Sequence, residues 1–162
     1  MESIPDIYSL LAELAIALAG FSGVSSTFAG RERLFRPMER TRLQAVLLSS
    51  SSVLAGCLAL YSASSVGLDE AESASVSAAV GIVFTVPNLA FLIPTALRHR
   101  KDSDSTTEIW VIYTVSLYSL ALLALLGIIA AQKGDPNLLV VGFSSQLLFG
   151  LWMFVRLLTR PN

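Results

Sequence analysis

The sequence predicts an all-α polytopic membrane protein: one domain over residues 1–162, a bundle of five transmembrane helices, N-terminus outside and C-terminus in the cytoplasm. Three observations predict it. The chain is 54% hydrophobic and only 14% charged, where an average soluble domain carries about 25% charged residues. Five apolar stretches, about 7–29, 43–66, 74–97, 109–131 and 138–158, are each long enough to cross a hydrocarbon core about 30 Å thick at about 1.5 Å per residue. The basic residues between those stretches fall on alternate connections.

The first stretch, IYSLLAELAIALAGFSGVSSTFA, contains one ionisable carboxylate, Glu13. An ionised carboxylate at mid-membrane costs about 2.5–3.5 kcal/mol on insertion scales. On a helix, Asp6, Ser9, Glu13, Ile16, Gly20, Gly23 and Thr27 recur at steps of three and four, so they share one face. Only Ile16 in that stripe is large and apolar. The stripe is expected to meet protein or water, and the leucine-rich remainder lipid. Ser3, Pro5 and Asp6 read as a helix start, and the acidic beginning MESIPD lacks the positive region of a signal peptide, so the first span is expected to be retained.

The connections set the topology. RERLFRPMERTR, after the first span, holds Arg31, Arg33, Arg36, Arg40 and Arg42. GLDEAES, after the second, holds three acids and no base. The third connection holds Arg98, Arg100 and Lys101, the fourth only Lys133, and the end of the chain Arg156 and Arg160. Alternating sides thus collect ten basic residues against one, and the positive-inside rule places the richer side in the cytoplasm. Removing any one span would scramble that segregation.

The second span carries Ser49, Ser52, Gly56, Ala59 and Ala63 as one small stripe, suited to close helix approach in lipid. The third carries Pro87, Asn88 and Pro94, which predict a kink. The fourth, preceded by a Ser105–Glu108 capping box, ends in LALLALLGIIAA and is expected to be the most lipid-facing. Gly134 is read as its stop, and Asp135-Pro136 as the start of the fifth. That last span places Gly142, Gln146 and Gly150 on one face. Trp110 and Trp152 fall toward one interface, and Tyr8 and Tyr61 toward the other, as in an aromatic belt.

Depth along the spans groups the polar residues. Glu13 and Gln146 lie about 9 and about 12 Å below the outer ends of their spans. Ser49 to Ser52 lie about 9–14 Å, and Asn88 about 14 Å, above the inner ends of theirs. The expectation is an outer layer of Glu13 and Gln146 and an inner layer of Ser49, Ser52 and Asn88, lining one ion or proton pathway through a bundle or between subunits. Each residue also has a plainer reading. Glu13 can snorkel or bond a neighbouring helix when protonated. Serines and Gln146 can be interhelical glue, and Asn88 can satisfy a carbonyl freed by Pro87. The arginine loop serves foremost as a topology signal; contact with anionic lipid or a cytosolic partner is its second use.

Composition excludes several classes. One cysteine, Cys57, permits no internal disulfide and no cysteine cluster; one histidine, His99, permits no His-rich metal site. No hydrolase, metalloprotease, phosphate-loop or dinucleotide motif occurs, so an enzyme is not expected, nor a cofactor or metal. With no basic soluble domain, nucleic acid is not an expected partner. The expected function is an oligomeric channel or transporter for a small cation or proton, in a bacterial inner membrane, with the lipid bilayer and further copies of the chain as partners. The alternative is a non-catalytic scaffold, sensor or accessory subunit acting through helix packing and the basic loop.

Overall fold

Leucine- and alanine-rich runs with few charges form helices wherever polar caps do not interrupt them. The computed structural model describes residues 4–28, 37–99, 106–131 and 134–159; among these residues there are five helices and no strand. They are α1 (Ile4–Phe28), α2 (Pro37–Ser65), α3 (Glu70–His99), α4 (Thr106–Ala131) and α5 (Pro136–Thr159). Each extends beyond the apolar stretch that predicted it, α2 by a full turn and more into the basic connection.

Four of the five, over Asp6–Val24, Leu43–Ser65, Tyr113–Ala131 and Pro136–Arg156, are long and apolar enough to cross a membrane. The chain is thus an all-helical, multi-pass membrane protein. α3 is not among the four. Its first turns, EAESASVS, carry two glutamates and three serines, and Pro87 and Asn88 interrupt the apolar remainder. The helix is nonetheless continuous through both Pro87 and Pro94.

Two polar turns punctuate one end of the bundle. Asp69 caps α3: its Oδ1 accepts from the Glu72 amide at 2.7 Å, and its own amide donates to Glu72 Oε2 at 3.4 Å. Gly67 supplies the left-handed residue, φ +92°, that turns the chain out of α2. Asp135 caps α5, accepting from the Asn137 amide at 2.8 Å. Gly134 acts differently from the stop that the sequence suggests. Its amide donates to Ser75 Oγ at 3.0 Å, and a Cβ there would stand 2.9 Å from the Ser75 backbone nitrogen. Close approach, not left-handed backbone, requires this glycine.

Successive helices run in opposite directions, so α1, α3 and α5 are parallel and α2 and α4 oppose them. α2 and α5 form the middle. Among the described residues, α2 packs against α1, α3 and α5, α5 packs against all four others, and α1 touches only α2 and α5. The main core joins Tyr8, Leu11 and Ala15 of α1, Val53 and Cys57 of α2, Ala74 and Ala78 of α3, Leu126 and Ile129 of α4, and Leu139 and Phe143 of α5. A smaller cluster of Ala45, Val46 and Met153 lies toward the Arg156 end. α4 is the most exposed of the four apolar spans, with 17% of its window buried.

One aromatic expectation fails. Tyr8 does not stand in a belt: it is 1% exposed, and its hydroxyl donates to the Pro136 carbonyl at 2.7 Å. A side chain on a helix leans toward the helix N-terminus, which lets Tyr8 reach the start of α5 from inside the bundle. Tyr61 and Trp152 are exposed, and Trp110's side chain lies outside the description.

Candidate functional site

α1 buries a narrow stripe, Tyr8, Leu11, Ala15 and Ser22, against α2 and α5. The opposite face is open. Asp6, Ser9, Glu13, Ile16, Gly20 and Gly23 are all exposed, and Thr27's side chain lies outside the described set. A shallow groove is lined by Asp6, Ser9, Leu10 and Glu13. All four lining residues belong to α1, so the groove is a relief on one helix and not a cavity between helices. Among the described residues, nothing beyond α1's own neighbouring backbone lies within 4 Å of where a side chain at Gly20 would begin. Among the described residues, Glu13 has no ion-pair partner within the chain, and no three His, Cys, Asp or Glu side chains converge.

The other polar residues face inward. Gln146 and Ser49 are 2% exposed and Ser52 1%. Gly150 of α5 abuts Leu18 of α1 and Ser49 of α2, while Phe143 abuts Gly56. Those contacts fix the antiparallel register of α2 and α5 and bring Gln146 level with Ser52 and Val53. Glu13 precedes Leu18 by five residues and Gln146 precedes Gly150 by four, so the two stand about 7.5 and about 6 Å above the same contact. Glu13, Gln146 and Ser52 therefore share about one level, while Ser49 lies about a turn deeper, beside Gly150. The expected depths were counted from apolar boundaries, and α2 begins six residues before its apolar stretch. Sharing a level does not bring Glu13 to the others: they lie inside the bundle, and Glu13 points out of it.

Several of the interior serines make helix–helix bonds. Ser77 Oγ of α3 donates to the Gly56 carbonyl of α2 at 2.7 Å, and Ser52 Oγ of α2 approaches the Gly81 carbonyl of α3 at 3.4 Å. The pair clasps the two helices in both directions. Ser75 Oγ bonds Ala71 O at 2.9 Å within α3 and Ile129 O of α4 at 3.4 Å. Tyr118 Oη of α4 meets Ser145 Oγ of α5 at 3.1 Å. Among the described residues, Ser50 Oγ and Gln146 Oε1 are buried without a hydrogen bond. Cys57 is fully buried and free, packed as a small apolar residue.

Asn88 lies within α3, but its side chain is outside the description. Arg31, Arg33 and Arg36 lie outside the described residues; Arg40 and Arg42 belong to α2, their side chains likewise outside the description. The residues that sequence reasoning missed are Tyr8, Ser75, Ser77 and Phe143. The alternating Ser73, Ser75 and Ser77 near the acidic start of α3 gave a signal of polarity, but not of which helix each serine would bind. The chain matches no protein-family model, no curated protein and no solved structure.

Proposed function

We propose that the chain assembles with copies of itself into a channel or transporter for a small cation or proton, with Glu13 facing a path between subunits. One observation carries this reading. Glu13, a carboxylate well inside an apolar span, stands on an exposed stripe of polar and small residues, away from its own chain's interior. Against lipid, an ionised Glu13 costs about 2.5–3.5 kcal/mol; against water or a second copy it costs less. Small residues at Gly20 and Gly23 suit close approach by another helix. A path inside one chain has little support, since Gln146, Ser49 and Ser52 are packed among helices. The reading takes α3 as a fifth span and the arginine-rich connections as cytoplasmic, on the segregation of ten bases from one. It takes a bacterial inner membrane as the location.

The test is ion flux from liposomes holding the purified protein, across a pH range, for wild type and Glu13→Gln. The expected outcome is pH-dependent flux in wild type and its loss in the variant, with oligomer size unchanged. Equal flux in both removes Glu13 from the mechanism. Absence of flux in both, with folded protein present, favours the second reading: a non-catalytic scaffold, sensor or accessory subunit. That reading has its own support in the interior serines, which are used as glue between α2, α3 and α4.

A further inference from the structure

A row of aromatic side chains crosses from α4 to α5 toward the end of the bundle where α5 finishes. Tyr118 and Phe149 stack with centroids 4.8 Å apart and 14° between planes. Phe149 meets Trp152 at 6.0 Å and 44°. The Arg156 guanidinium lies over the Trp152 ring, 4.9 Å from its centroid. Phe149, Trp152 and Arg156 follow one another at steps of three and four, so α5 presents them on one face. The Tyr118–Ser145 bond fixes the far end of the row. Arg156 is partly exposed and occupies the last turn of α5, where the helix dipole favours a cation. Among the described residues it forms no ion pair. Leu148 and Val155, one turn either side of Trp152's face, are 66% and 46% exposed.

We propose that Trp152 and Arg156 form a binding site for an anionic phospholipid. The phosphate sits on the in-plane N–H edge of Arg156, and an acyl chain lies along Leu148 and Val155. A guanidinium carries a planar N–H edge that matches two phosphate oxygens, and lying over an aromatic ring is compatible with using it. Trp152 is 38% exposed, an amphipathic ring of the kind that settles at headgroup level. The apolar flank selects a lipid over a soluble anion, because only a lipid covers cation and hydrocarbon together. The site stands apart from Glu13 and does not depend on which side of the membrane it faces.

The chain has two tryptophans, so Trp110→Phe leaves Trp152 as the only indole. Its fluorescence is read in vesicles carrying either a brominated anionic phospholipid or a brominated zwitterionic one, at equal mole fraction. The expected result is stronger quenching by the anionic lipid, reflecting about fivefold local enrichment, which is about 1 kcal/mol per basic side chain near an anionic surface. Arg156→Gln in the same background should erase the difference. Arg156→Lys should retain a reduced preference, and serves if the glutamine variant does not fold. Equal quenching by the two lipids, or a preference that survives Arg156→Gln, overturns the proposal. Loss of the preference on adding inorganic phosphate also overturns it, since a soluble anion would then be the ligand.

Discussion

The ring of Phe143 occupies the space that a side chain at Gly56 would need. Gly56 therefore lets α5 press a large aromatic against the backbone of α2, and its carbonyl takes the Ser77 hydroxyl from α3 on the same turn. Three helices meet at one glycine. Gly56→Ala should destabilise the fold by about 1–3 kcal/mol, the usual cost of overpacking a filled core. Steric unfolding in detergent measures it. Phe143→Leu in the same chain should restore part of the loss, and a cycle of the two variants should give a coupling well outside additivity. Additive effects would show that the two residues do not compete for that space.

Tyr8 ties the start of α1 to the start of α5 through the Pro136 carbonyl. A proline has no amide proton, but its carbonyl still accepts, and burial keeps water from replacing Tyr8. Tyr8→Phe keeps the ring and removes the bond, so the expected loss is about 0.5–1.5 kcal/mol. Tyr8→Ala also empties a buried site and should cost about 3–5 kcal/mol. The ordering of the two variants in thermal unfolding checks the assignment.

Two glycines separate close packing from open surface. A Cβ at Gly134 would meet backbone atoms of α3, which cannot swing aside, whereas at Gly127 nothing lies within 4 Å. Gly134→Ala should be destabilising, by about 1–3 kcal/mol. Gly127→Ala should be neutral or stabilising, by up to about 1 kcal/mol, since alanine is the better helix former. Melting temperatures of the two variants should move in different directions or by clearly different amounts.

Gly20 has open space within its own chain. If α1 faces another copy, Gly20→Leu leaves the monomer folded and reduces the oligomer, because a bulky side chain holds two helices apart. Size-exclusion with light scattering, alongside circular dichroism, distinguishes the cases. An unchanged oligomer, or a monomeric wild type, would place no second copy on this face.

Cys57 is fully buried and is the chain's sole cysteine. A water-soluble maleimide should leave the folded protein unlabelled and react once on unfolding. Cysteines introduced at Ser49, Ser52 and Gln146 in a Cys57→Ala background should be similarly protected, while one at Glu13 should label if the path is wet. Ready labelling at Gln146 would instead indicate a water-filled interior.

The class of this protein is legible in local composition alone. Apolar runs separated by charged connections leave the backbone no partner in lipid but its own helix, and that constraint acts locally, residue by residue. Asp135-Pro136 marked the start of α5, LALLALLGIIAA marked the exposed helix, and the stripe through Ser49, Ser52 and Gly56 marked a packed face, all from spacing alone. Which helix meets which emerges from the packed bundle. Small residues permit approach by any neighbour, so nothing in the stripe of α2 names Ser77 or Phe143 as what it receives. Tyr8 reads as an interface tyrosine until its distance from Pro136, 128 residues away, is known. The stripe through Glu13 was legible as a face, but whether it turned inward or outward depended on where α2 and α5 packed. They took the side of Tyr8, Leu11 and Ala15, whose apolar surfaces fit the core, and that left Glu13 outside.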